Sequence, residues 1–292
     1  MQLLINKKYN HQELYNYLKN YFKDFVFNEE LWWILENVFS KSKIQIITSD
    51  YIIVNQKNLD RLSNIKLDLL NHKPLQYILG FTEFANLKLI TREPVLIPRQ
   101  ETEEWIIDLI NNIKSKNINL NKILDIGTGT GCLALALKKS FSKAQVIASD
   151  INDLALQLAI ENALKNNLEI KIIKSNIFQD IDDKNFDLIV TNPPYISNNE
   201  YENLAPSVKN FEDKLALTAP DNGLEIIKKI IKNSLNFLNK NGLLVVEIDR
   251  NQAHILKWAF QNGWKYGIYK TDFNNQPRII ILSNSDIWAL HN

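Results

Sequence analysis

The sequence predicts an α/β fold in which a mostly parallel sheet follows a small helical N-terminal domain. Through residues 1–75 the apolar residues recur at helical spacing, whereas from about residue 123 short β-forming runs alternate with helical stretches. Two closing strands, near residues 266–270 and 278–282, are too close together for a crossover helix and should be antiparallel. We therefore expect one reversed strand near the edge of the sheet.

The first domain, residues 1–75, is predicted to consist of helices at residues 11–22, 31–39 and 58–70. Asn28 is a plausible cap for the second helix, and Pro74 follows the third. Lys and Arg nearly balance Asp and Glu in this region, which suits a protein partner better than a polyanion. Residues 76–98 alternate β-forming residues around turn residues, which predicts a β-hairpin linker.

The second domain, residues 99–292, carries the alternating pattern. Its predicted strands lie at residues 123–126, 144–149, 170–173, 186–191 and 243–248, before the closing pair. Its predicted helices lie at residues 100–114, 132–139, 153–165, 224–238 and 252–260. Seven strands alternating with helices predict a sheet covered on both faces.

Composition excludes several classes of protein. Of the 292 residues 45% are hydrophobic and 23% charged, as in globular domains, and the net charge of +1 is unlike that of a strongly basic nucleic-acid-binding protein. The single cysteine, Cys132, excludes a disulfide framework and a Cys-rich zinc site, and we expect no metal. With no signal-peptide pattern and no apolar run of membrane length, we expect a cytoplasmic protein that does not contact membranes.

Three of the eight glycines fall within five residues, between a predicted strand and helix: Asp125-Ile126-Gly127-Thr128-Gly129-Thr130-Gly131. Glycines there let a ligand approach the backbone closely. The spacing is G-x-G-x-G rather than the dinucleotide G-x-G-x-x-G, which disfavours a pyrophosphate site, and a tight strand-to-helix turn is the structural alternative. Asp150 ends the next strand, where an acidic residue either accepts hydrogen bonds from ribose hydroxyls or caps the following helix.

The tetrad Asn192-Pro193-Pro194-Tyr195 follows an apolar strand. The two prolines make the segment rigid and leave carbonyl acceptors, while Asn192 adds a side-chain acceptor and Tyr195 an aromatic face. This set suits a planar amino group, whose two N–H bonds are taken by the Asn oxygen and a proline carbonyl. The alternative is a proline-rich strand end with no chemical role.

Together the glycine loop, Asp150 and the tetrad, in this order, resemble the class I S-adenosylmethionine-dependent methyltransferases that act on an sp² nitrogen. Further segments resemble the release factor glutamine N5-methyltransferases, the HemK/PrmC family: Pro74–Gly80, Leu96–Glu103, Phe211–Leu217 and Asn222–Leu224. The resemblance covers nearly the whole chain. It implies a Rossmann-like, seven-stranded sheet and methylation of the glutamine in the Gly-Gly-Gln loop of bacterial-type peptide chain release factors, without a nucleic-acid requirement.

The resemblance also implies roles for individual residues. Residues expected to bind S-adenosylmethionine are Gly127, Thr128, Gly129, Thr130, Gly131, Asp150, Asn176, Ile177 and Asn192. The catalytic residues are expected to be Asn192, Pro193, Pro194 and Tyr195. The family usually has Asp where this chain has Asn176, which can still hydrogen-bond the adenine amino group, and Gly where it has Asp249 after Glu247-Ile248.

Other readings stay open at this level. Arg99, Glu101 and Glu103 form either a salt-bridged hinge or the rim of the pocket, and Cys132 is a packing residue rather than a nucleophile. A nucleic-acid amino-methyltransferase, a ribosomal-protein glutamine methyltransferase and a non-catalytic binding module are the alternative functions. Near-neutral charge and the lack of a target-recognition insertion argue against the first, and the intact tetrad argues against the last.

Overall fold

The computed structural model describes residues 3–285, which divide after Gly80 into two compact units. The helices of the first unit are α1 (His11–Phe22), α2 (Asn28–Phe39), α3 (Lys43–Thr48), α4 (Gln56–Leu70) and α5 (Leu75–Leu79). Two short strands, β1 (Lys8–Tyr9) and β2 (Ile52–Ile53), pair antiparallel. The predicted helices are present, whereas α3, α5 and the two short strands were not anticipated.

Side-chain caps begin most helices of the first unit. The side chains of Asn10, Ser42 and Asn55 each accept a hydrogen bond from the backbone N–H three residues on, which satisfies one of the unpaired donors at a helix start. The cap predicted for α2 is wrong, because Asn28 is already the first helical residue and Glu30 accepts a hydrogen bond from the N–H of Phe27 instead. Apolar side chains at helical spacing form the buried interior of this unit.

The second unit begins with a hairpin of β3 (Phe81–Phe84) and β4 (Leu87–Ile90), paired antiparallel. The sequence assigned residues 76–98 to a linker, but the structure differs. Residues Leu75–Leu79 are helical, and the hairpin residues Phe84, Leu87 and Leu89 are buried in the same hydrophobic core as Trp105. Because burial of these side chains stabilises the second unit, the hairpin is part of that unit.

The remaining elements alternate as predicted. The strands are β5 (Lys122–Ile126), β6 (Gln145–Asp150), β7 (Lys171–Lys174), β8 (Phe186–Thr191), β9 (Leu238–Glu247), β10 (Tyr266–Thr271) and β11 (Pro277–Ser283). The main helices are α6 (Gln100–Ser115), α7 (Cys132–Ser140), α8 (Asp153–Lys165), α12 (Glu225–Ser234) and α13 (Ile255–Gln261). Three short helices lie between β8 and α12: α9 (Asn198–Tyr201), α10 (Pro206–Lys209) and α11 (Lys214–Leu217).

The strands form one seven-stranded sheet in the order β10-β11-β9-β8-β5-β6-β7. Only β11 runs against the others, since it pairs antiparallel with both β9 and β10. The prediction of a mostly parallel sheet with one reversed strand near the edge is confirmed. The helix predicted to reach residue 238 ends at Ser234, because Leu238 already pairs with Phe186 and starts β9, before an irregularity in the ladder.

Alternate residues of the strands enter two separate cores. Ile123, Leu188 and Val245 pack with α6 and α7 on one face, and Leu124 and Val246 pack with α12 and α13 on the other. A sheet covered on both faces leaves the ends of its strands as the place where a ligand can reach several strands at once. Across residues 3–285, no helix combines the length and apolarity needed to cross a membrane.

Candidate active site

The register of the sheet brings three predicted site residues to one edge. Ile126, the last residue of β5, pairs with Ser149 of β6 and with Thr191 of β8, and all three strands are parallel. The next residues, Gly127, Asp150 and Asn192, therefore leave three adjacent strands at the same level, with neighbouring strands about 4.8 Å apart. Residues far apart in the sequence thus meet at the carboxyl ends of the parallel strands.

The glycine loop, residues 127–131, is held by backbone hydrogen bonds and leaves open space beside it. Gly127 and Gly129 have φ values of 69° and 54°, and a Cβ at either would meet no atom within 4 Å. The N–H of Thr128 donates to the carbonyl of Ser149 at 2.9 Å. A backbone that is fixed but open on one side is what a closely apposed ligand requires.

The other loop residues support this geometry. The Thr128 hydroxyl is buried and donates to Asp125 Oδ2 at 2.6 Å. Thr130 is buried too, and its carbonyl accepts a hydrogen bond from Asn162 Nδ2 at 2.9 Å. A Cβ on Gly131 would lie 3.2 Å from that of Ala159, so this glycine permits close packing against α8. Both threonine side chains are therefore buried, and the Thr128 hydroxyl and the Thr130 carbonyl make the bonds that fix the loop.

Asp150 is bonded to the loop and is not the cap of α8. Its Oδ2 accepts from the N–H of Gly129 and its Oδ1 from the N–H of Asn152, both at 2.9 Å. The side chain of Asn152 caps α8 by accepting from Leu154. A carboxylate has about four lone-pair sites, so Asp150 retains capacity for two further donors such as ribose hydroxyls. Burial raises its pKa, and the backbone hydrogen bonds oppose that rise.

Asp125, at the base of the loop, was not predicted as a site residue. Its Oδ2 accepts from Thr128 and from the N–H of Ala134, but its buried Oδ1 has no hydrogen-bond partner within residues 3–285. Burial raises its pKa to about 7. An unpartnered buried carboxylate oxygen calls for a donor or a cation brought by a ligand. With the open loop and the spare acceptors of Asp150, it makes a set that fits the amino group and ribose of S-adenosylmethionine.

Asn176 and Ile177 lie beside Asp150. Asp150 pairs with Lys174 at the end of β7, and the N–H of Ser175 donates to the Asp150 carbonyl at 2.9 Å. Asn176 is exposed, and Ile177 has a φ of 59°, which turns the chain at this point. The structure therefore brings this predicted pair to the same edge of the sheet as the glycine loop.

The tetrad is held by side chains from three other segments. Asn192 Nδ2 donates to Thr102 Oγ1 at 3.2 Å, and the Tyr195 hydroxyl donates to Glu247 Oε1 at 3.2 Å. The Tyr195 carbonyl accepts from Gln252 Nε2 at 2.9 Å. A Cβ on Gly223 would lie 1.8 Å from that carbonyl oxygen, so glycine is required at this position.

Glu247 is the centre of this side of the site. It is buried at the end of β9, and its Oε2 accepts from Thr102 Oγ1 at 2.7 Å and from Trp105 Nε1 at 2.8 Å. Burial raises its pKa, opposed by the hydrogen bonds from Trp105, Thr102 and Tyr195 and by the charge of Arg278. Burial also raises the pKa of Tyr195, so that its hydroxyl stays protonated as the donor.

Sequence reasoning did not single out Glu247 or Thr102 as site residues. A signal was present, since Glu247 is the lone charge closing an apolar run of four residues, Leu243–Val246. A buried carboxylate in that position needs several donors. The identity of the donors is set by tertiary structure, because Thr102 lies 145 residues away along the chain.

The remaining candidates have structural contacts. Arg99 forms an ion pair with the buried carboxylate of Glu212, and Glu103 Oε1 accepts from the N–H of Ala85 at 2.7 Å. Glu101 lines a surface cleft together with Asp272. Burial raises the pKa of the Cys132 thiol to about 12, which leaves it protonated and unsuited to nucleophilic attack. Asp249, the departure from the family pattern, accepts from the N–H of Asn251 within its own turn.

Comparison with known proteins decides the family. The family model for the Methyltransferase small domain matches residues 108–208. The release factor glutamine methyltransferase of Flavobacterium psychrophilum is 38% identical over 250 residues, which cover 82% of this chain and 87% of that protein. The chain belongs to the release factor glutamine methyltransferase family. The protein of that name from Fusobacterium nucleatum is 42% identical over 215 residues, covering 72% of this chain but 59% of its own length.

Membership in this family confirms the predicted fold class and cofactor. The second unit has the class I methyltransferase fold, and the enzyme uses S-adenosylmethionine as methyl donor. The catalytic domain of human METTL16, solved in complex with an RNA hairpin of a 3′UTR, shares the fold with a TM-score of 0.52 and 19% identity, covering 78% of this chain and 81% of that one. Within the described residues, no three His, Cys, Asp or Glu side chains are grouped to hold a metal ion.

Proposed function

We propose that this chain transfers the methyl group of S-adenosylmethionine to the side-chain amide nitrogen of the glutamine in the Gly-Gly-Gln loop of a bacterial-type release factor. One observation carries the proposal. The register of three parallel strands sets Asn192 beside Gly127, with Asp150 on the next strand beyond Gly127, so an acceptor held by Asn192 lies next to a methyl donor held by the loop. The relatives named for this reaction support the choice of acceptor.

The main task of the site is to position a poor nucleophile. The lone pair of an amide nitrogen is delocalised into its carbonyl, so attack requires an in-line approach and a fixed geometry. The Asn192 side-chain oxygen and the Pro193 carbonyl accept the two N–H groups of the glutamine, and Pro194 keeps the segment rigid. Tyr195 offers an aromatic surface to the flat amide while its hydroxyl is held by Glu247.

On the donor side, the glycine loop would hold the methionine and ribose moieties, Asp125 and Asp150 would accept hydrogen bonds from them, and Asn176 and Ile177 would contact the base. When bound, S-adenosylmethionine supplies an electrophilic methyl group on a sulfonium. Transfer of that methyl group to the amide nitrogen would leave the sulfur as the neutral thioether of S-adenosylhomocysteine, and the amide proton would pass to water. The chain need supply no strong base, since the methylated nitrogen is acidic before that proton leaves.

The decisive experiment compares acceptors side by side. Purified enzyme with radiolabelled S-adenosylmethionine is offered a release factor, the same factor with its Gly-Gly-Gln glutamine changed to alanine, ribosomes and duplex DNA. Label is expected in the unchanged release factor and not in the changed one. Preferential labelling of DNA or ribosomes would contradict the proposal and favour a nucleic-acid or ribosomal-protein methyltransferase.

The first unit is proposed to dock the release factor in the cytoplasm without a nucleic-acid partner. Its Lys and Arg nearly balance its Asp and Glu, which suits a protein partner better than a polyanion. A truncated enzyme starting at Phe81 should keep its affinity for S-adenosylmethionine within a few-fold and show a raised KM for release factor. Calorimetry and initial rates measure both. Loss of cofactor binding in a folded truncation would contradict this division of roles.

A further inference from the structure

A chain of three side chains links a buried carboxylate to the residue that faces the acceptor. Thr102 Oγ1 donates to Glu247 Oε2 at 2.7 Å, and Asn192 Nδ2 donates to Thr102 Oγ1 at 3.2 Å. Glu247 and Thr102 are both buried, so water does not compete for the bond between them. The direction of each hydrogen bond in this series follows from the chemistry of Glu247.

Glu247 Oε2 is an acceptor, because the Trp105 Nε1–H that meets it at 2.8 Å can only donate, and the Thr102 hydroxyl meets the same oxygen. The single hydroxyl proton of Thr102 is therefore committed to Glu247, which leaves the Thr102 oxygen as an acceptor. An acceptor selects the NH₂ end of the Asn192 amide. The Asn192 oxygen must then point the opposite way, away from Thr102.

This selection matters because the two ends of an amide have almost the same shape and are distinguished only by their partners. With the oxygen turned toward the acceptor, Asn192 meets the N–H groups of a glutamine with a lone pair. With the amide flipped, it would present N–H groups to N–H groups, and the acceptor would lose one of its two anchors.

We propose that Thr102 is a positioning residue for methyl transfer, which passes the acceptor character of Glu247 on to Asn192 and so fixes which end of its amide faces the substrate. The inference rests on the proposed function, because it assumes that Asn192 accepts a hydrogen bond from the methylated amide. It assigns to the segment Leu96–Glu103 a role in turnover through one hydroxyl group.

The test is Thr102→Val, which keeps the shape of the side chain and removes the hydroxyl. Turnover at saturating substrate is expected to fall roughly 10–100-fold, while the Kd for S-adenosylmethionine and the KM for the acceptor stay within a few-fold. Thr102→Ser restores the hydroxyl and is expected to keep kcat within a few-fold of wild type. If the valine variant is not folded, Thr102→Ala carries the same comparison.

Thr191→Val is the matched control. Thr191 directly precedes Asn192, is equally buried, and donates its hydroxyl to the carbonyl of Ile126 at 2.7 Å, so the same change removes a buried hydrogen bond next to the site. Its kcat is expected within a few-fold of wild type. An equal fall in kcat for Thr191→Val and Thr102→Val would overturn the proposal in favour of general packing.

Three further outcomes overturn it: a Thr102→Val enzyme with wild-type kcat, a Thr102→Ser enzyme as impaired as the valine variant, or a loss explained by cofactor affinity alone. Failure of the proposed function is recognised separately, since wild-type enzyme would then leave release factor unmethylated. The Thr102 series would in that case be run on the acceptor that wild-type enzyme does methylate.

Discussion

The two halves of the site are built differently although they lie on adjacent strands. On the donor side, backbone N–H groups and carboxylates hold the glycine loop, and open space and an unpartnered Asp125 oxygen are left for a ligand. On the acceptor side, Thr102, Trp105 and Tyr195 are all bonded to Glu247. On the donor side, unpaired hydrogen-bonding atoms supply affinity for the cofactor. On the acceptor side, side chains that bond to one another supply a fixed orientation for the residues that face the acceptor. Substitutions in the two halves should therefore affect different kinetic constants.

The largest effect is expected for Asn192→Ala. Removing an oriented polar group at a reacting centre typically costs about 10²–10³ in kcat, and cofactor affinity should be retained. Single-turnover assays with a release factor fragment and calorimetry measure the two quantities. Asn192→Asp keeps an acceptor oxygen, so partial recovery would show that acceptance is what matters. Activity lost through cofactor affinity alone would place Asn192 on the donor side.

Gly223→Ala tests the acceptor side without altering any polar side chain. The new Cβ would lie 1.8 Å from the Tyr195 carbonyl oxygen, which must move, and displacement of a positioned group by about 1 Å can cost about 10² in rate. We expect lower kcat at unchanged cofactor affinity. Gly263→Ala is the control, since Gly263 also has a positive φ, of 102°, but its nearest contact is the Leu235 side chain at 3.3 Å. Equal losses in both variants would point to instability instead.

Asp150→Ala tests the donor side. Hydrogen bonds to a charged group contribute roughly 1.5–3 kcal/mol, so cofactor affinity should fall by about one to two decades. Asp153→Ala, three residues on, removes a carboxylate whose ion pair with Lys174 is exposed and should leave affinity unchanged. Calorimetry on both folded variants gives the comparison. Unchanged affinity in Asp150→Ala would remove Asp150 from the cofactor site.

The smallest effect is a pH dependence from Asp125. Its pKa in the folded protein is raised to about 7, so the carboxyl is largely protonated at pH 6 and ionised at pH 8. A cationic amino group prefers the ionised form, and cofactor affinity should therefore rise with pH below the pKa, by at most about tenfold per pH unit. Binding measured between pH 5.5 and 7.5 should show this slope in wild type and lose it in Asp125→Asn. A parallel slope in both would assign the effect to another group.

The same carboxyl makes a signed prediction for stability without ligand. Because its folded pKa lies above the unfolded value of about 3.8, the folded state binds more protons between about pH 4 and 7. The contribution of Asp125 to the free energy of unfolding therefore falls as pH rises through that window. Urea unfolding of wild type and Asp125→Asn at pH 5 and pH 7.5 isolates the contribution by difference.

The sequence was informative where local pattern decides structure. The parallel strands appear as β-branched apolar runs, and helices such as α1 and α8 have the bounds their periodicity predicted. The glycine loop and the tetrad were found for the same reason, since each acts through residues adjacent in the chain. Placement of the tetrad beside the loop required only the topology of a parallel sheet.

What the sequence left out depends on contacts between distant residues. Two of the three donors to Glu247, Thr102 and Trp105, come from α6, and no spacing rule relates positions 102 and 247. The hairpin was assigned to a linker because its short strands bury their apolar side chains against helices that pattern alone does not place. Asn is a typical capping residue, but Asn28 is already the first residue of α2. To be capped by Asn28, the helix would have to begin one residue later.

The side-chain amide of Asn162, in α8, limits how many N-terminal residues can be removed from the enzyme. Asn162 accepts from the N–H of Ile90 at 2.6 Å and donates to the carbonyls of Ile90 and Thr130, so the hairpin and the glycine loop share a single side chain. Cutting the chain after the hairpin would remove both partners at Ile90 and leave the buried amide bonded to Thr130 alone, at the base of the donor site. The smallest module that could be grafted, fused or exchanged among relatives accordingly starts at Phe81 rather than at residue 99.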